Sequence, residues 1–234
     1  MNTHTFFSFL LSEILLIPFG VALFRWRRIE KTYYPFFILL TLGVIQELVS
    51  YWIIHWLHHT NAASVNVYGL LECAVIVWQF YAWNSFRSFG SRLTWLYALQ
   101  AGSLLLWIAC NLVFFHLDDF GFPFYRILYP FVVVLLSINE INLMITHDNR
   151  NLYKNPRFVI CLAFITFFLY QILYEGAFLV SGADKTETVP TEIIHLFNYV
   201  NAFVNGLYLV AVLLVPQKRS SAFERIFDRI GDDS

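Results

Sequence analysis

Acidic and histidine side chains inside apolar segments are the residues of this chain whose types could do chemistry. Glu47, Tyr51 and His55 are spaced four residues apart, so a helix would present them on one side. Tyr68 and Glu72 repeat this spacing in the next apolar segment. Such groups are costly in hydrocarbon and tend to mark functional sites in membrane proteins. The candidate site residues are Glu13, Glu47, Tyr51, His55, Glu72, Gln171, Glu175, His195, Asn198 and Asn201.

Three kinds of site are compatible with these side chains. We expect them to line one polar pocket that receives a small molecule or an ion, with no catalytic residue and no cofactor. A closed hydrogen-bond network that only stabilises the protein would satisfy the same groups. A metal-dependent hydrolytic site is the third alternative, because His55 and His59 have the spacing of zinc ligands on a helix. The residues that could complete its shell are Glu72, Glu175 and His195, but no HExxH motif identifies a metal.

The elements that must position these residues are membrane-spanning helices. The 234-residue chain is 59% hydrophobic and 13% charged, whereas soluble domains carry about 25% charged residues. Seven apolar runs are long enough to cross a bilayer. They are Phe6–Phe24, Tyr33–Leu57, Val67–Trp83, Leu93–Phe115, Ile127–Thr146, Phe158–Val180 and Ile193–Val215. We therefore predict an all-α integral membrane protein, with a seven-helix bundle over residues 1–215 and a tail over residues 216–234.

The basic residues predict the orientation of this bundle. The first, third and fifth connections and the tail hold all of the 15 Lys and Arg residues except Arg126 and Lys185. By the positive-inside rule, the N-terminus is outside and the C-terminus is cytoplasmic. Counted from the outer ends at about 1.5 Å per residue, the candidate carboxylates share the outer half of the membrane. In the tail, Phe223, Ile226 and Ile230 indicate a short amphipathic helix on the inner surface.

A weak internal repeat bears on the function. Leu10–Glu13 resembles Leu135–Glu140, which suggests parallel repeats of runs one to three and five to seven joined by run four, as in some transporters. We prefer a ligand- or ion-sensing, receptor-like membrane protein that catalyses no reaction. A small-solute or proton-coupled transporter is the alternative that the repeat favours, and a metal-dependent membrane hydrolase is a further one.

The expected partners follow from the same features. They are the lipid bilayer, a small-molecule or ion ligand, and a signalling partner in the membrane or the cytoplasm. The formal net charge of −1 gives no reason to expect nucleic acid as a partner. We expect the protein in the bacterial inner (plasma) membrane.

Several short motifs resemble those of other membrane proteins. They are QELVS at Gln46–Ser50, NVYGLLE at Asn66–Glu72, SINE at Ser137–Glu140, NAFVNGLY at Asn201–Tyr208 and VPQK at Val215–Lys218. On these residues the chain resembles, over nearly its whole length, an uncharacterised family of small seven-span bacterial membrane proteins of the Bacteroidetes type. The resemblance implies the seven-span fold and implies no activity.

Overall fold

The chain forms seven α-helices in the computed structural model, which describes residues 13–86, 90–114, 117, 124–147, 152–181 and 191–216. No β-strand occurs within those ranges. The helices are α1 (Leu16–Arg25), α2 (Tyr34–Trp52), α3 (Ala62–Ala82), α4 (Arg92–Ile108), α5 (Phe124–His147), α6 (Pro156–Ser181) and α7 (Thr191–Leu214). The all-α class predicted from the sequence is confirmed.

Six of the described segments are long and apolar enough to cross a membrane, by length and composition. They are Lys31–Leu57, Ala62–Ala82, Arg92–Val113, Phe124–Thr146, Pro156–Ala177 and Leu196–Leu214. These segments are compatible with an integral membrane protein. Of the first predicted span, Phe6–Phe24, the structure describes only residues 13–24, in the turn Glu13–Leu15 and in α1, so the seventh span and the orientation stay predictions. The tail helix expected from Phe223 to Ile230 lies wholly outside them.

Two helices begin three or more residues earlier than predicted, and two continue as π-helical turns. α3 begins at Ala62 rather than Val67, because Ala62 is fully buried and alanine has the highest helix propensity. α5 begins at Phe124 rather than Ile127. The π-helical turns are Ile53–Leu57 after α2 and Ala109–Val113 after α4. Such a turn inserts an extra residue into the helical repeat, so it changes which side chains share a face.

Six of the described helices close into a ring, and α4 packs outside it. The ring runs in the order α1, α2, α3, α5, α6, α7 and back to α1, while α4 contacts α3 and, less extensively, α5. α3 and α5 run parallel, since Glu72 meets Tyr129 along the first part of the pair and Ser85 meets Glu140 further on. The ring therefore joins helices one to three and five to seven at two places, α3–α5 and α7–α1.

Arginines bind helix C-terminal carbonyl groups at one end of the ring, which we call the basic end. Arg25 donates three hydrogen bonds, of 2.6, 2.8 and 3.0 Å, to carbonyl oxygens at the end of α7. Arg92 donates to the carbonyl oxygen of Tyr81 (2.9 Å), and Arg157 donates to that of Trp83 (3.3 Å). The last carbonyls of a helix lack intrahelical partners and carry partial negative charge, so guanidinium groups stabilise these ends. We call the opposite end, where α2 leads into α3, the distal end.

The aromatic core fills the basic half of the ring. Phe36 on α2, Phe80 on α3 and Phe164 on α6 are fully buried. The Phe164 ring lies 6.3 Å from that of Phe80 and 6.0 Å from that of Phe168, measured between centroids. The buried residues of α2 end at Val44, although the helix continues for two more turns. The core therefore holds α2 firmly at its start and leaves its distal part less covered.

Gln79 of α3 caps the start of α2 within this core. The residue is 1% exposed. Its Oε1 accepts a hydrogen bond from the backbone N–H of Phe36 (2.7 Å), and its Nε2 donates to the carbonyl oxygen of Thr32 (2.7 Å). The first N–H groups of a helix have no intrahelical partner, so this side chain satisfies one that would otherwise be buried and unpaired.

Candidate functional site

Glu72 is the centre of a buried polar network between three helices. The residue is 6% exposed. Its Oε1 accepts a hydrogen bond from the Tyr68 hydroxyl at 2.9 Å, and its Oε2 accepts one from the Tyr129 hydroxyl at 2.6 Å. The Nε2 of Gln171 donates to the Tyr129 hydroxyl at 3.1 Å. The network therefore links α3, α5 and α6 through a single carboxylate.

The earlier start of α3 changes the depth of this carboxylate. α3 has 21 residues, from Ala62 to Ala82, which puts Glu72 at its midpoint. Counted from Val67 the carboxylate would lie five residues inside the helix, whereas it lies ten residues after Ala62, about half a helix length from either end. Its depth in a bilayer stays a prediction.

A second layer of hydroxyl and thiol groups surrounds the Glu72 network. The Tyr125 ring stacks on that of Tyr129, with 5.1 Å between centroids. The Tyr125 hydroxyl lies 2.9 Å from the Ser103 Oγ, and Ser103 donates to the Cys73 Sγ at 3.3 Å. These residues were not predicted as site residues. The four-residue spacing of Tyr125 and Tyr129 is the sequence signal that could have identified them.

The electrostatic surroundings of Glu72 are unusual for a carboxylate. Among the described residues, its polar contacts are the two tyrosine hydroxyls, and the ion pairs of the bundle involve other carboxylates. A buried charge without a countercharge is costly, and hydroxyl donors offset only part of that cost. The Oε1 of Gln171 is also buried without a hydrogen-bond partner in the described part of the chain. Oxygen ligands of this kind suit a proton or a hard cation.

An ion pair lies one helical turn from this network, towards the distal end. Arg126 Nε is 3.2 Å from Glu175 Oε1, and each side chain is 11% exposed. Arg126 precedes Tyr129 by three residues and Glu175 follows Gln171 by four, so the two α5–α6 contacts are neighbours. Glu175 therefore lies beside the Glu72 network, and it has the countercharge that Glu72 lacks. Its assignment as ligand-binding stays a prediction.

Three predicted site residues lie on an exposed side of α2. Glu47, Tyr51 and His55 are all exposed, and Tyr51 stacks on His55 with ring centroids 4.1 Å apart. The predicted inward row is wrong for these residues, because the aromatic core covers α2 only as far as Val44. The π-helical turn also breaks the four-residue spacing towards His59. The assignment of these residues as ligand-binding stays a prediction.

The remaining candidates lie on α7 and in the segment before α1. Asn198 and Asn201 are half-buried on α7, and the buried Asn205 donates from Nδ2 to the Oδ1 of Asn201 at 3.2 Å. The backbone of Glu13 opens the turn before α1, and that of His195 lies near the start of α7. The side chains of Glu13 and His195 lie outside the described part of the structure. The described residues therefore bring together Glu72, Gln171 and Glu175 from the predicted set.

A second buried carboxylate lies at the basic end of the α3–α5 contact. Glu140 is 3% exposed, and its Oε2 accepts a hydrogen bond of 2.5 Å from the Ser85 hydroxyl. Its Oε1 is 3.7 Å from the Nη1 of Arg157. Unlike Glu72, Glu140 therefore has a basic partner. The same pair of parallel helices carries a paired carboxylate at one end and an isolated one at its middle.

An apolar groove of about 320 Å³ lies between α2 and α3 in the distal half. Its walls include Ile45, Gln46 and Val49 of α2 and Ala63, Val67 and Tyr68 of α3. Tyr68 is the residue that the groove shares with the Glu72 network. The groove is therefore adjacent to the buried carboxylate, separated from it by one tyrosine side chain.

The described residues do not assemble a metal centre from three or more His, Cys, Asp or Glu side chains. His55, the proposed first ligand, instead places its Nδ1 3.1 Å from the carbonyl oxygen of Tyr51. Comparisons of the chain with protein-family models, with curated proteins and with solved structures gave no match. Membership of the family that the motifs resemble stays a prediction, and the argument for a function rests on the site.

Proposed function

We propose that this chain is a membrane protein that senses an ion or a small ligand, with Glu72 as the responding group and the bacterial plasma membrane as its location. The observation that carries the proposal is the position of the Glu72 carboxylate. It lies at the midpoint of a membrane-length helix, held by the hydroxyls of Tyr68 and Tyr129 and by no basic side chain of the described residues. A proton or a monovalent cation bound there would remove the cost of an isolated charge in an apolar environment.

The contacts of Glu72 provide a route from binding to a conformational change. One oxygen is bonded within α3 and the other to α5, so neutralising the carboxylate weakens the Tyr129 bond that joins α3 to α5 as well as the Tyr68 bond within α3. From Glu72 to Ser85 is about 20 Å at about 1.5 Å per residue. A shift between the two parallel helices would therefore reach the Ser85–Glu140 contact at the basic end. In the predicted orientation this end faces the cytoplasm, where a signalling partner would bind.

The test is ion-dependent unfolding of the protein in lipid nanodiscs. Cys73, Cys110 and Cys161 are all buried, so a thiol-reactive fluorophore reports unfolding without any engineered probe. We expect the unfolding temperature to rise with proton or Na⁺ concentration, because a bound ion stabilises the folded state by mass action. The Glu72→Gln variant should lose that dependence.

Glu30→Gln is the matched control, because it makes the same chemical change at an exposed position that precedes α2 and lies outside the candidate site. It should keep the ion dependence of the unmodified protein. If Glu72→Gln and Glu30→Gln respond to both ions as the unmodified protein does, Glu72 is not the responding group.

A proton-coupled or small-solute transporter is the second candidate, and the ring supports it. Helices one to three and five to seven form the ring, and α4 stands outside as a linker would between two repeats. Transport requires access to Glu72 from both sides, whereas sensing requires access from one. Proteoliposomes loaded with a pH-sensitive dye distinguish the two, since a transporter releases an imposed proton gradient in a Glu72-dependent manner. Gradient loss that equals that of protein-free vesicles would leave sensing as the function.

A further inference from the structure

The geometry points to the groove between α2 and α3 as the binding site of a neutral amphiphile with one alkyl chain, such as a monoacylglycerol or a fatty alcohol. The inference deepens the proposed function, because it names the ligand class that would act on the Glu72 network. The volume of about 320 Å³ lies at the lower end of the range of about 300–1,000 Å³ that small-molecule sites occupy.

The walls of the groove determine that its occupant is an alkyl chain. Both helices belong to segments of membrane-spanning length and composition, so the groove opens towards lipid. Ile45, Val49, Val67 and Leu71 line it, and each of them is between 38% and 49% exposed. A polar solute would leave its own groups unpaired against these side chains, whereas an alkyl chain buries them at no such cost.

The distal mouth of the groove determines the head group. Gln46 Nε2 donates to the hydroxyls of Ser50 (2.9 Å) and Ser64 (3.2 Å), and Asn61 Nδ2 also donates to Ser50 (3.2 Å). These amide and hydroxyl groups can bond a hydroxyl-bearing head. Residues 46–68, which form the mouth, contain neither Lys nor Arg. A phosphate or carboxylate head would therefore meet no guanidinium or ammonium group of this segment, whereas the amide and hydroxyl groups match an uncharged, hydroxyl-bearing head.

Tyr68 connects the occupant to the buried carboxylate. Its side chain lines the groove, and its hydroxyl donates to Glu72 Oε1 at 2.9 Å. The same hydroxyl lies 3.8 Å from where a Cβ on Gly43 would be, so the tyrosine reaches across to the backbone of α2. An alkyl chain packed against the Tyr68 ring would hold this side chain in place. The binding free energy of the amphiphile is thereby coupled to the arrangement of the Glu72 network.

Photolabelling in phosphatidylcholine nanodiscs tests the site. The probe is a monoacylglycerol with a diazirine in its alkyl chain, and mass spectrometry locates the labelled residues. We expect labels on Ile45, Val49 and Val67, and competition by unlabelled monooleoylglycerol. Filling the groove in Ala63→Phe or Ile45→Trp should lower labelling about tenfold, the effect of displacing two methylene groups. Two variants are used so that a folding defect in one does not decide the result.

Ala101→Phe is the matched control, since it makes the same substitution at an exposed position on α4. It should label as the unmodified protein does. Labels spread evenly over α4 and α7, or full labelling of both groove variants, would overturn the site. Equal competition by oleate would overturn the uncharged head. The unfolding assay with protons and Na⁺ is run separately: an ion response without groove labelling overturns only the amphiphile site, and labelling without an ion response overturns only the role of Glu72.

Discussion

Replacing Tyr129 by Phe removes one hydroxyl and two hydrogen bonds from the Glu72 network. The hydroxyl donates to Glu72 Oε2 at 2.6 Å and accepts from Gln171 Nε2 at 3.1 Å. The phenyl ring of the variant keeps its contacts with Tyr125 and Phe168, whose centroids lie 5.1 and 5.9 Å away. The substitution therefore changes the hydrogen bonding and leaves the packing almost intact.

The expected destabilisation by Tyr129→Phe follows from the polar groups that the variant leaves without hydrogen-bond partners. Hydrogen bonds between membrane helices contribute about 0.6 kcal/mol each on average, so two of them contribute about 1.2 kcal/mol. A buried polar group left without a partner costs about 1–3 kcal/mol. The Gln171 Oε1 already lacks a partner among the described residues, and loss of the Nε2 bond would leave the side-chain amide unpaired. We expect Tyr129→Phe to lower the free energy of unfolding by about 1–3 kcal/mol.

Tyr125→Phe is the internal comparison for this experiment. It removes a hydroxyl from the adjacent, stacked tyrosine, and that hydroxyl contacts the Ser103 Oγ (2.9 Å) and the Gly69 carbonyl oxygen (3.5 Å) rather than a carboxylate. Its expected cost is about 0.6–1.2 kcal/mol, for one or two such bonds. Reversible unfolding in mixed detergent micelles, followed by circular dichroism, measures both. If Tyr129→Phe costs no more than Tyr125→Phe, the Glu72 network does not have the strength that its geometry implies.

Three further predictions concern the helix ends and the orientation. Arg25→Met should lower the free energy of unfolding by about 1.5–3 kcal/mol, the value for charge-assisted bonds, whereas the exposed Arg28→Met should have little effect in the same unfolding assay. Gln79→Leu leaves a buried backbone N–H unpaired and should cost about 1–3 kcal/mol, and wild-type stability of this variant would contradict the capping role. An impermeant maleimide should label Asn61→Cys in intact cells but Lys154→Cys only after permeabilisation; the reverse pattern would invert the predicted orientation.

The six candidate spans in the described part of the chain could be predicted from the sequence because their signal is local. Length and hydrophobicity of a run are read without knowing its neighbours, and six described segments match the predicted runs to within a few residues. The inward face of α2 could not be read in this way. Glu47 and Tyr51 follow the same helical spacing as the buried Leu40 and Val44, yet only the first part of that row is covered. Coverage depends on where the aromatic core ends, which is a property of several helices together.

The second partner of Glu72, Tyr129, could not be identified from the sequence for a related reason. Tyr68 is four residues away and was identified by helical spacing, whereas Tyr129 is 57 residues away in the sequence. Its contact depends on α3 packing directly against α5 while α4 lies outside. Helices that follow each other in the chain are usually neighbours, so the order of the helices in the sequence does not indicate that α3 meets α5. Only the order of helices in the ring determines which tyrosines meet the carboxylate.

The contact between Arg25 and the end of α7 has a consequence for biosynthesis. Arg25 and the Val212 carbonyl that it binds are 187 residues apart, so the ribosome makes one long before the other. At a rate of protein synthesis of about 5–20 residues per second, roughly 10–40 s pass between the synthesis of Arg25 and that of its acceptor. During that interval the first helix has no seventh helix to pack against, and the nascent protein is an open chain of helices rather than a closed ring. The join between α1 and α7 therefore cannot form until α7 has been synthesised, and chains that stop before Val212 never form it.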